Sequence, residues 1–354
     1  MYGIRKRAGV FGLICLLLVS LNAQSESSAG WLSRVRTWAF GKNVIRPVVA
    51  QVAKLLHENR NYPKVIDRWT DPEAFPDFAF SPEADLLEIW FPRIRDRDAA
   101  IFLYQGECWM IDCSDEQAEE RVVPLLKALG IRKIDRMINT HPHHDHLNGL
   151  YAVDAAAPVR ELMICFPEDS TEDMVKAVAY AREKGIRLTA YGDEQVFCMG
   201  DEVVRFLAWM KTDEAENMND RSAQFMVSYG ECEMLFMADI EFHGQDQLLA
   251  ALGSAPLKAD ILRYPHHGKR AMRDEVFQAI DPAMVVITSS EGAPEVREST
   301  RFFEYYYKDI PRVYTTRGYL HLTTDGQHWL CEKVEDETLF GDLDEVDAPS
   351  MRWK

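Results

Sequence analysis

The chain has no C-x-x-C pair among its seven cysteines and no zinc-finger spacing, so a cysteine-built metal site is excluded. It carries no P-loop and no dinucleotide-binding glycine pattern, which removes the usual phosphate cradles of nucleotide enzymes. No internal repeat runs through it, so it is not a solenoid or a propeller. Positive charge is in deficit: 40 Lys and Arg against 57 Asp and Glu leave a net charge of −17. A body of that sign repels polyanions except where cations are gathered locally. Histidine is scarce as well, ten in all, yet His141, His143, His144 and His146 fall within six positions.

What is present supports a folded protein with an address. Hydrophobic residues make up 47% of 354, enough for one large core of about 250 residues plus an extension. Arg5, Lys6 and Arg7 precede an apolar run over residues 8–21, the charged and apolar regions of an export signal. That run is short against the roughly 20 residues of a membrane-crossing helix. Residues 1–23 are therefore read as a cleaved signal peptide or an uncleaved anchor, and the protein as exported to the cell envelope or beyond. Residues 24–83 form an extension: a Ser-rich linker, two helical stretches within residues 31–56 with a basic patch, then a proline-rich connector. The patch is read as packing on the catalytic body or lying on a membrane surface. The catalytic domain is placed at residues 84–335, and an acidic, solvated tail at 336–354. The cysteines sit in apolar surroundings, which suits buried free thiols, with disulfides an alternative in an oxidising compartment.

Within the catalytic domain, β-rich runs are expected at residues 86–91, 99–104 and 108–111, the last two joined by a Gln105-Gly106 turn. Amphipathic helices are expected at 116–129, closed by Gly130, and at 170–184, closed by Gly185. Strands follow at 187–190, 195–198, 203–209, 225–228, 234–237, 259–264, 285–288, 321–323 and 328–331, with one helix at 295–307. The stretch around which these are organised is THPHHDHLNGL, residues 140–150, on the loop leaving an apolar strand. Imidazoles two apart in a turn converge on one cation, and a carboxylate beside a further imidazole holds a second a few ångström away. H-x-H-x-D-H is thus read as a two-metal site.

This motif after a strand resembles that of the metallo-β-lactamase superfamily, and with MIDCSDE, NDRSAQFMVSYGECEMLFMADIE, LKADILRYPHHGKR and VYTTRGYLHLTTDG the chain resembles the soluble domain of ComEC-type competence proteins and their stand-alone relatives. The resemblance implies an α/β fold, an αββα sandwich, and two divalent cations, zinc foremost with manganese an alternative. His141 and His143 would bind the first; Asp145, His146 and one of His266 or His267 the second; Asp239, directly after a buried strand, would bridge. The choice between His266 and His267 stays open, since adjacent residues leaving a strand point opposite ways. Asp112 matches an aspartate that supports the metal loop from behind. Many relatives add a third histidine to the first cation; here none lies between His146 and His243, and Asn219-Asp220-Arg221-Ser222 stands in its place. That site is left open to water or phosphate, or filled by Asp220 or Ser222.

Two such cations make hydroxide available at neutral pH, so no nucleophilic side chain is required. The resulting expectation is an exported metal-dependent hydrolase acting on phosphoesters or phosphodiesters. Arg93, Arg95 and Arg97, with Lys269, Arg270 and Arg273, form a local basic rim that suits a small or single-stranded anionic phosphodiester better than duplex DNA, unless neighbouring acids neutralise it. The alternatives are a catalytically silent, metal-binding envelope protein and a β-lactam hydrolase.

Overall fold

The computed structural model describes residues 62–210, 217–252 and 257–340. The expected leader, linker, N-terminal helices and the last residues of the acidic tail lie outside these.

Two sheets face one another. Among the described residues the first has nine strands: β1 (Val65–Asp67), β2 (Leu87–Phe91), β3 (Ala99–Tyr104), β4 (Glu107–Cys113), β5 (Arg136–Ile138), β6 (Glu161–Ile164), β7 (Arg187–Ala190), and, from later in the chain, β15 (Tyr319–Thr324) and β16 (Trp329–Val334). Their order is β1-β16-β15-β2-β3-β4-β5-β6-β7. The second contains β8 (Val196–Met199), β9 (Val204–Trp209), β10 (Gln224–Tyr229), β11 (Cys232–Phe236), β12 (Ile261–Arg263), β13 (Met284–Ile287) and β14 (Arg312–Tyr314), ordered β14-β13-β12-β11-β10-β9-β8.

Three apolar cores define the layers. One lies between the sheets, where Phe91, Phe102 and Trp109 meet Phe206, Phe225 and Phe236. The outer face of the first sheet is covered by α1 (Ala118–Ala128), α2 (His144–Leu147), α3 (Leu150–Ala156) and α4 (Glu172–Lys184). The outer face of the second is covered by α5 (Phe242–Leu252), α6 (Asp274–Ile280), α7 (Pro294–Ser299) and α8 (Phe302–Tyr306). Strands buried on both faces read as apolar runs, as in Met284–Ile287, while helices expose one side. This is the αββα sandwich expected.

Local chemistry sets the joints. Gln105 and Gly106 both take positive φ, as a two-residue hairpin turn requires. Thr171 caps α4 by accepting from the Met174 amide, and Gly185 closes it in the left-handed region. The helix expected over residues 295–307 is instead two short ones: the hydroxyls of Ser299 and Thr300 donate back to the Val296 carbonyl, and Ser299 also to that of Gly268. The connector read as irregular contributes β1, parallel to β16. Residues 336–340, at the start of the expected solvated tail, form the short helix α9 (Asp336–Phe340), which places Phe340 against Tyr319.

Two contacts tie elements so closely that only glycine fits. A Cβ on Gly149 would stand 1.8 Å from the Cys113 carbonyl oxygen. At the tips of the β10–β11 and β15–β16 hairpins, one from each sheet, a Cβ on Gly230 would stand 2.5 Å from the Gly326 oxygen, and the Glu231 amide donates to that same carbonyl. Gly149→Ala is expected to cost about 3 kcal/mol, the upper end of ordinary overpacking, because the obstacle is backbone. Urea denaturation measures it; a cost below about 1 kcal/mol would contradict the contact.

The six described cysteines are free. Burial pushes the thiols of Cys108, Cys165 and Cys232 up to about 12 and holds those of Cys113 and Cys331 well above the usual thiol range. Since the thiolate is the reactive form, these five are expected to ignore Ellman's reagent at pH 8 until the protein is unfolded. Rapid labelling of two or more of them in native protein would refute this.

Candidate metal centre

The site lies where β4, β5, β11 and β12 end, with donors from both sheets. After β5 the chain turns at Thr140 and presents His141 and His143, and α2 then carries Asp145 and His146. Asp112, at the end of β4, holds this loop in place. Its Oδ1 accepts from the Thr140 amide at 2.8 Å and its Oδ2 from the Thr140 hydroxyl at 2.7 Å. Oδ2 also lies 2.7 Å from His146 Nδ1. With Nδ1 engaged behind, His146 turns Nε2 toward Asp239, 3.3 Å away. Asp112 therefore stands behind the loop, as expected for it.

From the second sheet come Asp239, two residues past Met237, and the Pro265–Gly268 turn after β12. The Asp239 amide donates to Ser222 Oγ at 3.2 Å, and the His266 amide to the Ala238 carbonyl at 2.9 Å. Asp239 Oδ2 is the point of convergence. It lies 3.3 Å from His146 Nε2, 3.3 Å from His267 Nε2, 3.8 Å from His266 Nε2 and 4.0 Å from His141 Nε2. His141 Nε2 and His143 Nδ1 approach to 3.0 Å, and Asp145 Oδ2 lies 3.2 Å from His267 Nε2. Every residue predicted for the site is thus in one cluster.

The turn does not follow the expectation that one histidine would face away. His266 and His267 both take left-handed backbone, with φ of 49° and 53°, so the alternation of an extended strand does not apply and both rings face Asp239. The substitutes considered for the missing histidine are engaged elsewhere. Asp220 Oδ1 accepts from the Glu241 and Gly244 amides, capping α5, and Ser222 donates to the Asn219 carbonyl. His144, at the variable position of the motif, is exposed.

Sequence reading missed Arg263. It is the last residue of β12, 1% exposed, and its guanidinium reaches Asp98 Oδ1 at 3.0 Å and pairs with Asp98 Oδ2. It also donates to the Ala238 carbonyl and faces Thr288 Oγ1, which stands 3.1 Å from His267 Nδ1. A charge inside the apolar run ILRY was the signal available. Burial pulls Arg263 down to about 9, which leaves it charged at neutral pH. Asp98, His146, Asp239 and His267 all offer atoms within 4.8 Å of one another. Asp98, however, meets the Nδ1 atoms of both imidazoles at 3.7 Å, whereas Asp239 meets their Nε2 atoms, and its charge is spent on Arg263. It is a support behind the rings.

The donor set fits a divalent cation. His146 Nε2 and Asp239 Oδ1 are buried and make no hydrogen bond. Burial opposes charge on Asp145 and Asp239, but the surrounding imidazoles outweigh it and hold both carboxyls below the usual range. Burial holds His141, His143 and His266 below the usual histidine range, so these rings present lone pairs. For His146 burial also opposes charge, yet Asp239 and Asp112 prevail and raise it well above that range.

The rim is neutralised by neighbouring acids. Arg93 pairs with Asp336, Arg95 and Lys269 with Asp96, Arg97 with Asp115, Arg270 with Glu241 and Arg273 with Asp246.

A family profile described as the metallo-beta-lactamase superfamily matches residues 96–287. ComE operon protein 3 of Bacillus subtilis (strain 168) is 25% identical over 191 residues, 53% of this chain, and the match spans 24% of that protein. Among solved structures, CmlA, a diiron beta-hydroxylase from Streptomyces venezuelae, aligns with a TM-score of 0.43 at 13% identity, over 66% of this chain and 53% of that one. A diphosphatase from the PhnP family aligns at 0.41 and 14%, over 67% and 98%.

Proposed function

The chain belongs to the metallo-β-lactamase superfamily, whose members are usually metal-dependent hydrolases, and on that premise we propose that it hydrolyses small phosphodiesters or the ends of short single strands. The observation that carries the reading is the meeting of four imidazoles and a second carboxylate around Asp239 Oδ2. His141 and His143 would hold one cation, Asp145, His146 and His267 the other, with Asp239 shared. Bound divalent cations supply Lewis acidity toward a phosphoryl oxygen and a strong oxygen nucleophile at neutral pH.

The chain's own residues do the rest. Asp112 and Thr288 hold His146 and His267 by Nδ1 so that both Nε2 atoms face inward. His141, His146, Asp239 and His267 are shielded from solvent, and the less buried His143 and His266 mark the approach. The choice of a phosphodiester is supported by the ComEC-type motifs. The choice of a compact one is supported by the rim: each of its cations already faces an acid, leaving little to grip a long duplex. Export is supported by the N-terminal charge and apolar pattern; among the described residues no helix is long and apolar enough to cross a membrane. The N-terminus is the route by which the protein would be anchored.

The test is elemental analysis of protein purified without chelators, then turnover of bis(p-nitrophenyl) phosphate and a short single-stranded oligonucleotide with added zinc or manganese. Bound metal with turnover is expected. Bound metal with no turnover of either would favour the catalytically silent reading, and β-lactam cleavage without phosphodiesterase activity would replace the substrate class.

A further inference from the structure

Counting donors leaves the two cations unequal. Asp145, His146, His267 and Asp239 give the second a set of four, whereas His141, His143 and Asp239 give the first only three. The position from which relatives supply a further histidine is occupied by Asn219 and Asp220, and Asp220 is committed to the start of α5. We infer that His266 is the fourth donor of the first cation, so that two adjacent histidines on one turn serve two different metals.

Three observations carry this. His266 Nε2 stands 3.8 Å from Asp239 Oδ2, the oxygen that His141 Nε2 also approaches. His266 Nδ1 stands 3.2 Å from Glu241 Oε1, and a carboxylate behind an imidazole is the usual device for aiming its other nitrogen at a metal. Glu241 is fixed in turn by the segment that lacks the histidine: its amide donates to Asp220 Oδ1, and Asn219 Nδ2 donates to its carboxylate at 3.4 Å. That segment thus delivers an imidazole indirectly, by building the seat of Glu241. The left-handed backbone of both histidines, costly for residues with a Cβ, turns both rings to the same side.

The inference rests on the two-cation reading, and zinc content separates failure of one from failure of the other. Wild-type protein is loaded with zinc, dialysed against metal-free buffer and measured by elemental analysis, with affinities from competition against a chromogenic chelator. Two zinc ions are expected for wild type and His144→Ala. His266→Ala should keep one, with the other bound at least about 100-fold more weakly, and Glu241→Gln should weaken the same ion about 10- to 100-fold. His266→Ala combined with His143→Ala should still keep one ion, and combined with Asp145→Ala should keep none. Wild-type affinity for both ions in His266→Ala would overturn the inference, as would loss of both in the His143 combination with one kept in the Asp145 combination. Fewer than two ions in wild type would overturn the two-cation reading itself. Circular dichroism confirms folding, and Glu241→Gln serves alone if His266→Ala does not fold.

Discussion

Asp145→Ala and Asp239→Ala are each expected to lower phosphodiester kcat/KM by three orders of magnitude or more, about 4 kcal/mol of transition-state stabilisation, while the protein still folds. Asp239 Oδ2 is the atom around which four imidazoles gather, and Asp145 is the second carboxylate against His267. Folding should survive because the three apolar cores do not include either residue. His144→Ala is the control: its exposed ring lies outside the cluster, and activity within about threefold of wild type is expected, since surface substitutions rarely exceed ±0.5 kcal/mol. Kinetics with saturating metal and far-ultraviolet circular dichroism check all three. Metal loss in the His144 variant equal to that in the Asp145 variant would contradict the assignment.

Arg263→Met is expected to lower stability by about 3–5 kcal/mol, the usual cost of leaving one member of a buried ion pair alone. Asp98 would be left beside the Nδ1 atoms of His146 and His267 without the guanidinium that pairs with it. Asp98→Leu should cost a similar amount, because it strands the guanidinium in β12. The double variant should recover much of the loss, since an apolar pair of similar volume often replaces a buried ion pair at little cost. Urea denaturation in the presence of a chelator isolates the pair from any linkage to bound metal. Single-variant costs below about 1 kcal/mol would show that the pair is not a support of the site.

The histidine loop was legible because its donors are local: His141, His143, Asp145 and His146 occupy one turn and one short helix, and the preceding apolar strand fixes where they fall. Asp239 and the Pro265–Gly268 turn were legible by the same logic of a polar residue ending a buried strand. The Arg263–Asp98 pair was not, because its members are 165 residues apart and nothing local joins them. Both histidines of the turn face the site for a backbone reason, positive φ at two non-glycine residues, that alternation in an extended strand does not anticipate. Asp220 looked like a donor because it stands in the right place in the chain, but the free amides at the start of α5 claimed it first. The strand β1 was hidden by its length of three residues and by the prolines around it.

The hairpin tips joined at Gly230 and Gly326 give the sandwich a spine. There the two sheets touch peptide to peptide, and at the opposite ends of β11 and β12 they meet again through the ring of donors around Asp239 and the Arg263–Asp98 pair. The layers are bound along one edge like the leaves of a book and clasped along the other by that buried ion pair together with whatever cation the donors hold. Loosening the clasp would let the pages part at the open edge without coming free, and the first leaves exposed would be Phe91 and Phe236, stacked 6.0 Å apart just beneath the site.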